Sequence, residues 1–325
     1  MAILPANVPQ NTTAARVHHF GGPENIVIEQ IPTPTPDRDE VLVQVAAAGV
    51  GPWDGWIRAG NSVLPQPLPL TLGSDLSGVV VAVGPGVSNC KVGDAIFGVT
   101  NKRFTDAYAH HAIAQANMIA LKPDSLDAIE AASIPVIAVT AWQALFDHGH
   151  LKSGQSVLIH GGAGGVGAFA IQFAKKAGAR VITTTSAKDA AYVRKLGADV
   201  VIDYGSQRFE DIAKDVDVVV DLVGGDTQTR SFPLLKKGGI LVSAVSAPDQ
   251  TLATKNQVTA MFFLVDVTSA ALSDIAKLID GGGITTNVGQ TFHLDDVKEV
   301  HEILEGKRPR PSGKIVITMA PKPLP

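Results

Sequence analysis

The stretch VLIHGGAGGVGAFAIQFAKKAGARVITTTSAKD, residues 157–189, places a glycine-rich turn between an apolar segment and an amphipathic one. Gly162, Gly164 and Gly167 have the spacing G-x-G-x-x-G and follow the apolar run SVLI. Such glycines allow a tight turn, the approach of a pyrophosphate and close helix–strand packing, in that order. The following helix would present unpaired N–H groups and partial positive charge to phosphates. The stretch therefore predicts a dinucleotide-binding turn.

The end of the next strand indicates which dinucleotide binds. NAD-selective sites place Asp or Glu about 20 residues after the glycines, whereas this strand ends in TTTSAK, residues 183–188, without an acid. Hydroxyl and ammonium groups can bind a ribose 2′-phosphate, which a carboxylate would repel. Asp189 follows, but Ser186 and Asp189 fit a capping box in which the acid binds helix N–H groups. The sequence favours NADPH, although Lys188 also fits a solvated helix position.

Composition argues against several classes of protein. The formal net charge of −4 gives no electrostatic reason to expect nucleic acid or an anionic membrane. The single cysteine, Cys90, cannot form an internal disulfide or a cysteine-rich zinc site. Residues 1–17 show no signal-peptide pattern, and no stretch reaches the roughly 20 apolar residues that span a bilayer. We therefore expect a soluble, cytoplasmic protein without nucleic-acid or membrane partners.

The distribution of strands predicts two domains, as does the length of 325 residues. The first third has short β-rich segments separated by Pro and Gly turns. From about residue 136, apolar strands alternate with helical segments, which is typical of a parallel sheet covered on both faces. The tail KIVITM returns to a β pattern. We predict a β-rich domain at 1–135, completed by 286–325, and an inserted α/β domain at 136–285.

Several short motifs resemble the medium-chain dehydrogenase/reductase superfamily, and more narrowly its zinc-independent quinone oxidoreductase and alkenal reductase branch. They cover nearly the whole chain: HHFGGPENIVIEQIPTP, EVLVQVAAAGVGPWD, LGSDLSGVVVAVGPGV, VGDAIFG, VTAWQAL, VLIHGGAGGVG, LGADVVIDY and GKIVI. The resemblance implies an α/β fold in which a GroES-like β-rich catalytic domain carries an inserted, doubly wound Rossmann domain. It also implies NADPH, a small electrophilic substrate and a homodimer.

The resemblance further assigns cofactor contacts beyond Gly162, which the turn itself supplies. It implies Ala163, Gly164, Gly165 and Val166 at the pyrophosphate, Ser186, Lys188 and Tyr204 at the 2′-phosphate, and Thr140, Phe263 and Val265 at the nicotinamide end. The sequence does not separate these roles from packing roles for Tyr204 and for the three nicotinamide-end residues.

Departures from the family pattern concern the metal and the substrate. Zinc members of the superfamily have a cysteine where this chain has Gly51 and a His-Glu pair where it has Ser74-Asp75. Because catalytic zinc normally has three protein ligands, we predict no metal site. Many quinone-reductase relatives have Asn-Pro-x-Asp where this chain reads GPWD, residues 51–54, so the substrate is in doubt. Trp53 and Trp56 are candidates for a substrate pocket, with core or lid packing as the alternative.

Without zinc to polarise a carbonyl, the hydride acceptor must already be electron-poor, such as a quinone or the β-carbon of an enone. We therefore expect an NADPH-dependent, metal-independent reductase of quinones or α,β-unsaturated carbonyls. No catalytic side chain is predicted, because Tyr108, a conceivable proton donor, fits a packing role better. An alcohol dehydrogenase and a catalytically weak NADPH-binding scaffold or sensor stay open. A short-chain dehydrogenase does not, since no tyrosine has a lysine four residues later.

Overall fold

The computed structural model describes residues 5–6 and 8–320. The chain divides into two compact units: unit 2 is Ile137–Asp266, and unit 1 takes the chain up to Val136 and again from Val267. Residues 1–4, 7 and 321–325, which belong to the predicted β-rich domain, lie outside the described residues.

The described residues form strands and helices with the following bounds. The strands are β1 (Asn11–Val17), β2 (Ile26–Pro32), β3 (Glu40–Gly49), β4 (Leu70–Thr71), β5 (Asp75–Val83), β6 (Ala95–Val99), β7 (His111–Gln115), β8 (Ile119–Leu121), β9 (Ser156–His160), β10 (Arg180–Thr185), β11 (Val200–Asp203), β12 (Val216–Asp221), β13 (Leu235–Ser243), β14 (Thr259–Phe262), β15 (Val288–His293) and β16 (Lys314–Thr318). The helices are α1 (Pro52–Ala59), α2 (Ala128–Ala132), α3 (Pro135–Trp142), α4 (Gly165–Lys176), α5 (Ala190–Lys195), α6 (Phe209–Ile212), α7 (Gly225–Ser231), α8 (Gln250–Asn256), α9 (Ser269–Asp280) and α10 (Val297–Leu304). A π-helical turn, Gln143–His148, continues α3.

Unit 1 is built mainly on antiparallel strand pairs, with β15 and β16 pairing in parallel. One sheet has the order β2-β1-β4, and a larger sheet has the order β15-β16-β3-β5-β6-β8, with β7 pairing β3. The long strand β3 is central because its valines at 41, 43 and 45 are buried and its neighbours cover both edges. The C-terminal strand β16 pairs antiparallel with β3, Val316 lying opposite Gly49. This pairing returns the end of the chain to unit 1.

Unit 2 is a parallel sheet with the order β11-β10-β9-β12-β13-β14. Its central strands are apolar along almost their whole length, as expected for strands that helices cover on both faces. The chain winds outward from β9 in one direction and then, from β12, in the other. Ligands of such doubly wound sheets bind at the carboxyl edge where this reversal occurs. The predicted α/β fold with an inserted doubly wound domain is confirmed.

The second unit ends earlier than the sequence predicts, at Asp266 rather than at residue 285. Helix α9 belongs to unit 1 because it packs on β8. The Ser269 hydroxyl at its start donates to the Ala116 carbonyl at 2.9 Å. At its end, Asp280 accepts the Ser125 hydroxyl at 2.7 Å. Helical periodicity alone does not tell which unit a peripheral helix covers.

Candidate functional site

The glycine turn joins the carboxyl end of β9 to α4 at the reversal point of the parallel sheet. Helix α4 begins at Gly165, and Gly164 stands at its N-cap without any side-chain cap. The first N–H groups of the helix are therefore available to an anion. Gly164 and Gly165 are exposed, and Ala163 and Val166 are half-buried. The turn is open on the side that the predicted pyrophosphate would occupy.

The roles of the glycines differ in part from the prediction. The left-handed residue of the turn is Gly161, with φ of +76°, and not Gly162. Gly162 is required for packing instead, since a Cβ there would lie 2.0 Å from Thr183 Oγ1. At Gly167 a Cβ would lie 2.3 Å from the Gly161 carbonyl oxygen, which shows the close helix–strand approach. A Cβ at Gly164 would have only that carbonyl oxygen nearby, at 3.3 Å.

The residues predicted at the 2′-phosphate lie beyond the carboxyl ends of two adjacent strands. Strands β10 and β11 run parallel with Thr185 opposite Asp203, and the Tyr204 N–H donates to the Thr185 carbonyl at 3.1 Å. Tyr204 is 66% exposed, so packing does not account for it. Lys188 is exposed and Ser186 half-buried. The structure thus brings the three side chains to one sheet edge.

The capping box predicted for this edge does not form. Ser186 caps no N–H group with its side chain, and its hydroxyl donates to Asp189 Oδ2 at 2.7 Å. The sequence pattern could not reveal this, because both arrangements use the same two side chains. Asp203 is a second acid at this edge, and the Ser206 hydroxyl and the Gly205 N–H lower the pKa of its carboxyl group. Its carboxyl group is thus bound by groups of its own loop and also by the Ala187 backbone, between Ser186 and Lys188.

The residues predicted at the nicotinamide end come from two segments that hydrogen bonds join. Thr140 is buried in α3, Phe263 is buried and Val265 half-buried just after β14. Gln143 connects the segments, because its amide donates to the Asp266 carbonyl at 2.8 Å and accepts the Asp266 N–H at 3.1 Å. Their contacts with a nicotinamide stay predictions.

Sequence reasoning missed Asp221, the fully buried last residue of β12. Its Oδ1 accepts the N–H groups of Val223 and Gly224 at 3.1 and 2.8 Å. Its Oδ2 accepts the Gln228 amide and the Ser243 hydroxyl at 2.9 and 2.8 Å. The signal was an acid ending an apolar strand and followed, after two residues, by Gly224-Gly225. Asp221 holds the loop at the reversal point in one conformation.

In unit 1, the positions that correspond to zinc ligands in the superfamily that the sequence resembles carry a different network. Trp53 Nε1 donates to Ser74 Oγ at 3.0 Å, and the Lys314 ammonium contacts Asp75 Oδ2 at 3.2 Å. A Cβ at Gly51 would lie 2.2 Å from the Trp53 ring. A metal ion would therefore meet a hydroxyl and a carboxylate that already have partners. Within residues 5–6 and 8–320, no group of three His, Cys, Asp or Glu side chains could hold a metal.

The tryptophans of this network differ in exposure. Trp53 is half-buried, and the Lys314 ammonium lies 4.8 Å from its ring centroid, in cation–π contact. Trp56 is 58% exposed. Trp53 thus has a structural role, and the substrate-pocket role of both tryptophans stays a prediction.

Asp54 and Tyr108 form a buried pair next to the same loop. Asp54 Oδ2 accepts the Gly51 N–H at 2.8 Å, which caps α1, and the Tyr108 hydroxyl at 3.0 Å. Burial raises the pKa of Asp54 to about 7. Burial likewise raises the pKa of Tyr108 well above its ordinary value. Since the Tyr108 ring is fully buried and its proton is donated to Asp54, the structure supports the packing role.

No helix in the part of the chain that the structure describes is both long and apolar enough to cross a membrane.

Known proteins resemble the chain over nearly its full length. Family models described as "Alcohol dehydrogenase GroES-like domain" and "Zinc-binding dehydrogenase" match residues 37–124 and 196–317. Human quinone oxidoreductase is 30% identical over 94% of this chain and 97% of its own length. The 2-methylene-furan-3-one reductase of Solanum lycopersicum is 31% identical over 97% of this chain and 81% of its own.

Solved structures agree with the sequence matches. The quinone oxidoreductase of Escherichia coli in complex with NADPH has a TM-score of 0.83 and 29% identity, covering 94% of this chain and 99% of its own. The GroES-like assignment of the β-rich unit is confirmed by the first family model. The chain therefore belongs to the medium-chain dehydrogenase/reductase superfamily, in its zinc-independent quinone oxidoreductase branch.

Proposed function

We propose that this protein is an NADPH-dependent, metal-independent oxidoreductase that reduces quinones or the conjugated double bond of α,β-unsaturated carbonyls. The observation that carries the proposal is the network at Gly51, Ser74 and Asp75. A tryptophan N–H and a lysine ammonium occupy the polar atoms there, so the donor set needed to hold a polarising zinc is lacking. The substrate must then be electron-poor without help from a metal.

The glycine turn and the β10–β11 edge support NADPH as the cofactor. The uncapped start of α4 offers N–H groups to the pyrophosphate. Lys188 and Tyr204 are exposed at the strand ends, free to reach a 2′-phosphate. A relative of this fold, the Escherichia coli quinone oxidoreductase, was solved with NADPH. In the bound state NADPH supplies the hydride, and the residues of the turn hold its diphosphate in place.

The names of the relatives support the substrate class. One is a quinone oxidoreductase, and another reduces a 2-methylene-furan-3-one, a ketone conjugated to a methylene group. Both substrates are conjugated carbonyl compounds, in which the negative charge that follows hydride addition is delocalised onto oxygen. The protein must then orient the acceptor and stabilise the oxyanion that develops. Trp53 and Trp56 as a substrate pocket, the homodimer implied by the family resemblance and the cytoplasmic location expected from composition remain proposals.

The decisive experiment follows NADPH oxidation by the metal-stripped protein against ortho- and para-quinones, alkenals and simple ketones. We expect turnover of quinones or alkenals, and none of simple ketones. Simple-ketone turnover that requires stoichiometric zinc would show an alcohol dehydrogenase instead. NADPH binding without turnover of any acceptor would favour a scaffold or sensor.

A further inference from the structure

A buried histidine lies directly beneath the glycine turn and has no part in the function proposed so far. His160 is the last residue of β9 and is fully buried. Both ring nitrogens have partners: Nδ1 lies 3.1 Å from Thr184 Oγ1 and Nε2 lies 2.9 Å from Ser231 Oγ. These partners lie on β10 and at the end of α7. The imidazole therefore joins β9, β10 and α7 at the reversal point of the sheet.

The direction of the hydrogen bonds around His160 follows from the proton that we assign to the Ser231 hydroxyl. Its oxygen lies 2.7 Å from the Thr227 carbonyl, which can only accept; with the hydroxyl proton assigned to that carbonyl, Ser231 Oγ accepts from His160 Nε2–H. Nδ1 is then the acceptor of the neutral ring and takes the Thr184 proton. Burial lowers the pKa of His160 to about 4, which agrees with a neutral ring.

This series of hydrogen bonds reaches the glycine turn through Thr184. The Gly161 N–H donates to Thr184 Oγ1 at 3.3 Å, and the Gly162 N–H donates to the Thr184 carbonyl at 3.0 Å. Thr184 thus holds the first two residues of the turn, one through its side chain and one through its backbone. Gly161 is also the residue with the left-handed conformation. Its amide orientation sets the path of the turn towards α4.

We infer that His160 is a positioning residue for NADPH: the directed chain from Gly161 through Thr184, His160 and Ser231 to Thr227 fixes the pyrophosphate cradle. The inference rests on the proposed function, because NADPH is the ligand that this cradle would hold. His160 touches neither cofactor nor substrate in this role. It acts through Thr184, whose hydroxyl accepts the Gly161 N–H and, in this arrangement, donates its own proton to Nδ1.

The test measures NADPH affinity and steady-state kinetics in variants of the full-length protein. Thr184→Val keeps the side-chain shape and removes the hydroxyl, and Ser231→Ala removes the acceptor of Nε2–H. We expect each to weaken NADPH binding and raise its KM about tenfold, with kcat at saturating NADPH nearly unchanged. Thr184→Ser keeps the hydroxyl and should restore most of the affinity.

A matched control is Ser156→Ala, at the opposite end of β9. It also removes one hydroxyl, which donates to Asp217 Oδ2 at 3.0 Å, and it should leave the KM for NADPH unchanged. A spectroscopic readout is the ¹⁵N chemical shifts of the His160 ring. They should show the Nε2–H tautomer in the wild type and a changed Nε2 signal in Ser231→Ala.

Wild-type NADPH affinity in Thr184→Val, or an Nδ1–H tautomer in the wild type, would overturn the inference and leave the proposed function intact. An equal loss of NADPH affinity in Ser156→Ala would also overturn it, since the effect would then be general. Failure of the wild-type protein to bind NADPH would overturn both.

Discussion

At Asp54 the environment, rather than the residue type, decides the chemistry. A carboxyl group in the first turn of a helix is normally ionised at neutral pH, but burial raises the pKa of Asp54 to about 7. One of its oxygens accepts two hydrogen bonds, and the other, Oδ1, has no partner among the described residues. The sequence does not reveal this pKa shift, because the depth of burial depends on strands far away in the chain.

The raised pKa of Asp54 predicts a pH-dependent stability. Between its unfolded pKa, near 4, and about 7 the folded protein binds the extra proton. The stabilising effect of protonated Asp54 should therefore be present below pH 4 and be lost as pH rises to 7, by roughly 4 kcal/mol at most. Burial lowers the pKa values of His160 and His301 to about 4 and about 3, so their contribution to stability increases as pH rises through this range, opposite to that of Asp54.

Asp54→Asn isolates this contribution from that of the histidines. The free energy of unfolding, measured with urea, should increase in the variant relative to the wild type as pH rises from 4 to 7, because only the wild type loses the contribution of protonated Asp54. A difference between the two proteins that stays constant over this range would show that Asp54 titrates normally.

Lys188 decides cofactor preference if the 2′-phosphate lies at the β10–β11 edge. Lys188→Glu should weaken NADPH binding far more than NADH binding, because the new carboxylate would repel the phosphate that only NADPH carries. Dissociation constants for both nucleotides give the comparison. Lys195→Glu, an equal charge change on an exposed residue of α5, should affect both nucleotides little. Equal losses for NADPH and NADH in Lys188→Glu would place the 2′-phosphate elsewhere.

At the scale of elements, local sequence patterns predicted the strands, the helices and the turn between them, but not the contacts that depend on packing. Apolar strands alternating with helices predicted the parallel sheet, and the position of the glycine turn followed from it. The turn's left-handed residue, Gly161, was missed because φ depends on how α4 packs against the strand end. The Ser186–Asp189 contact was missed because side-chain rotamers leave no trace in spacing. The His160 chain joins residues up to 71 positions apart, beyond any local pattern.

Strand β16 carries a buried ion pair whose loss should destabilise unit 1. Lys314 and Asp75 are both buried, and removing one partner leaves an uncompensated charge. We expect Lys314→Met to lower the free energy of unfolding by about 3 kcal/mol or more, as measured by urea denaturation. Asp75→Asn in the same protein should recover part of this loss.

The matched control for Lys314→Met is Lys277→Met. Lys277 pairs with Asp274 at 2.9 Å, but both side chains are more than half exposed. Its loss should change the free energy of unfolding by less than about 1 kcal/mol. Equal effects of the two substitutions would show that the buried pair contributes no more than a surface one.

At the scale of the whole molecule, the chain leaves unit 1, forms unit 2 and returns. The sequence predicted this interruption because the β pattern resumes near the C-terminus, and β16 indeed pairs with β3. It placed the return too late because α9 has an ordinary amphipathic pattern. Its hydrogen bonds to Ser125 and Ala116 assign it to unit 1.

Cofactor binding should stabilise the whole protein through unit 2. NADPH at 100 times its dissociation constant should raise the free energy of unfolding by about 2.7 kcal/mol, if only the folded state binds it. Gly164→Val should abolish this gain, since its side chain would stand where the pyrophosphate approaches.

The backbone at Gly164 has φ of −71°, which valine adopts readily, and its Cβ would lie 3.3 Å from the nearest atom. The unliganded variant should therefore unfold within about 1 kcal/mol of wild type, the loss of a favourable N-cap being the main cost. Urea unfolding of both proteins, with and without NADPH, gives the four free energies. An undiminished NADPH effect in Gly164→Val would mean that the diphosphate binds away from the start of α4.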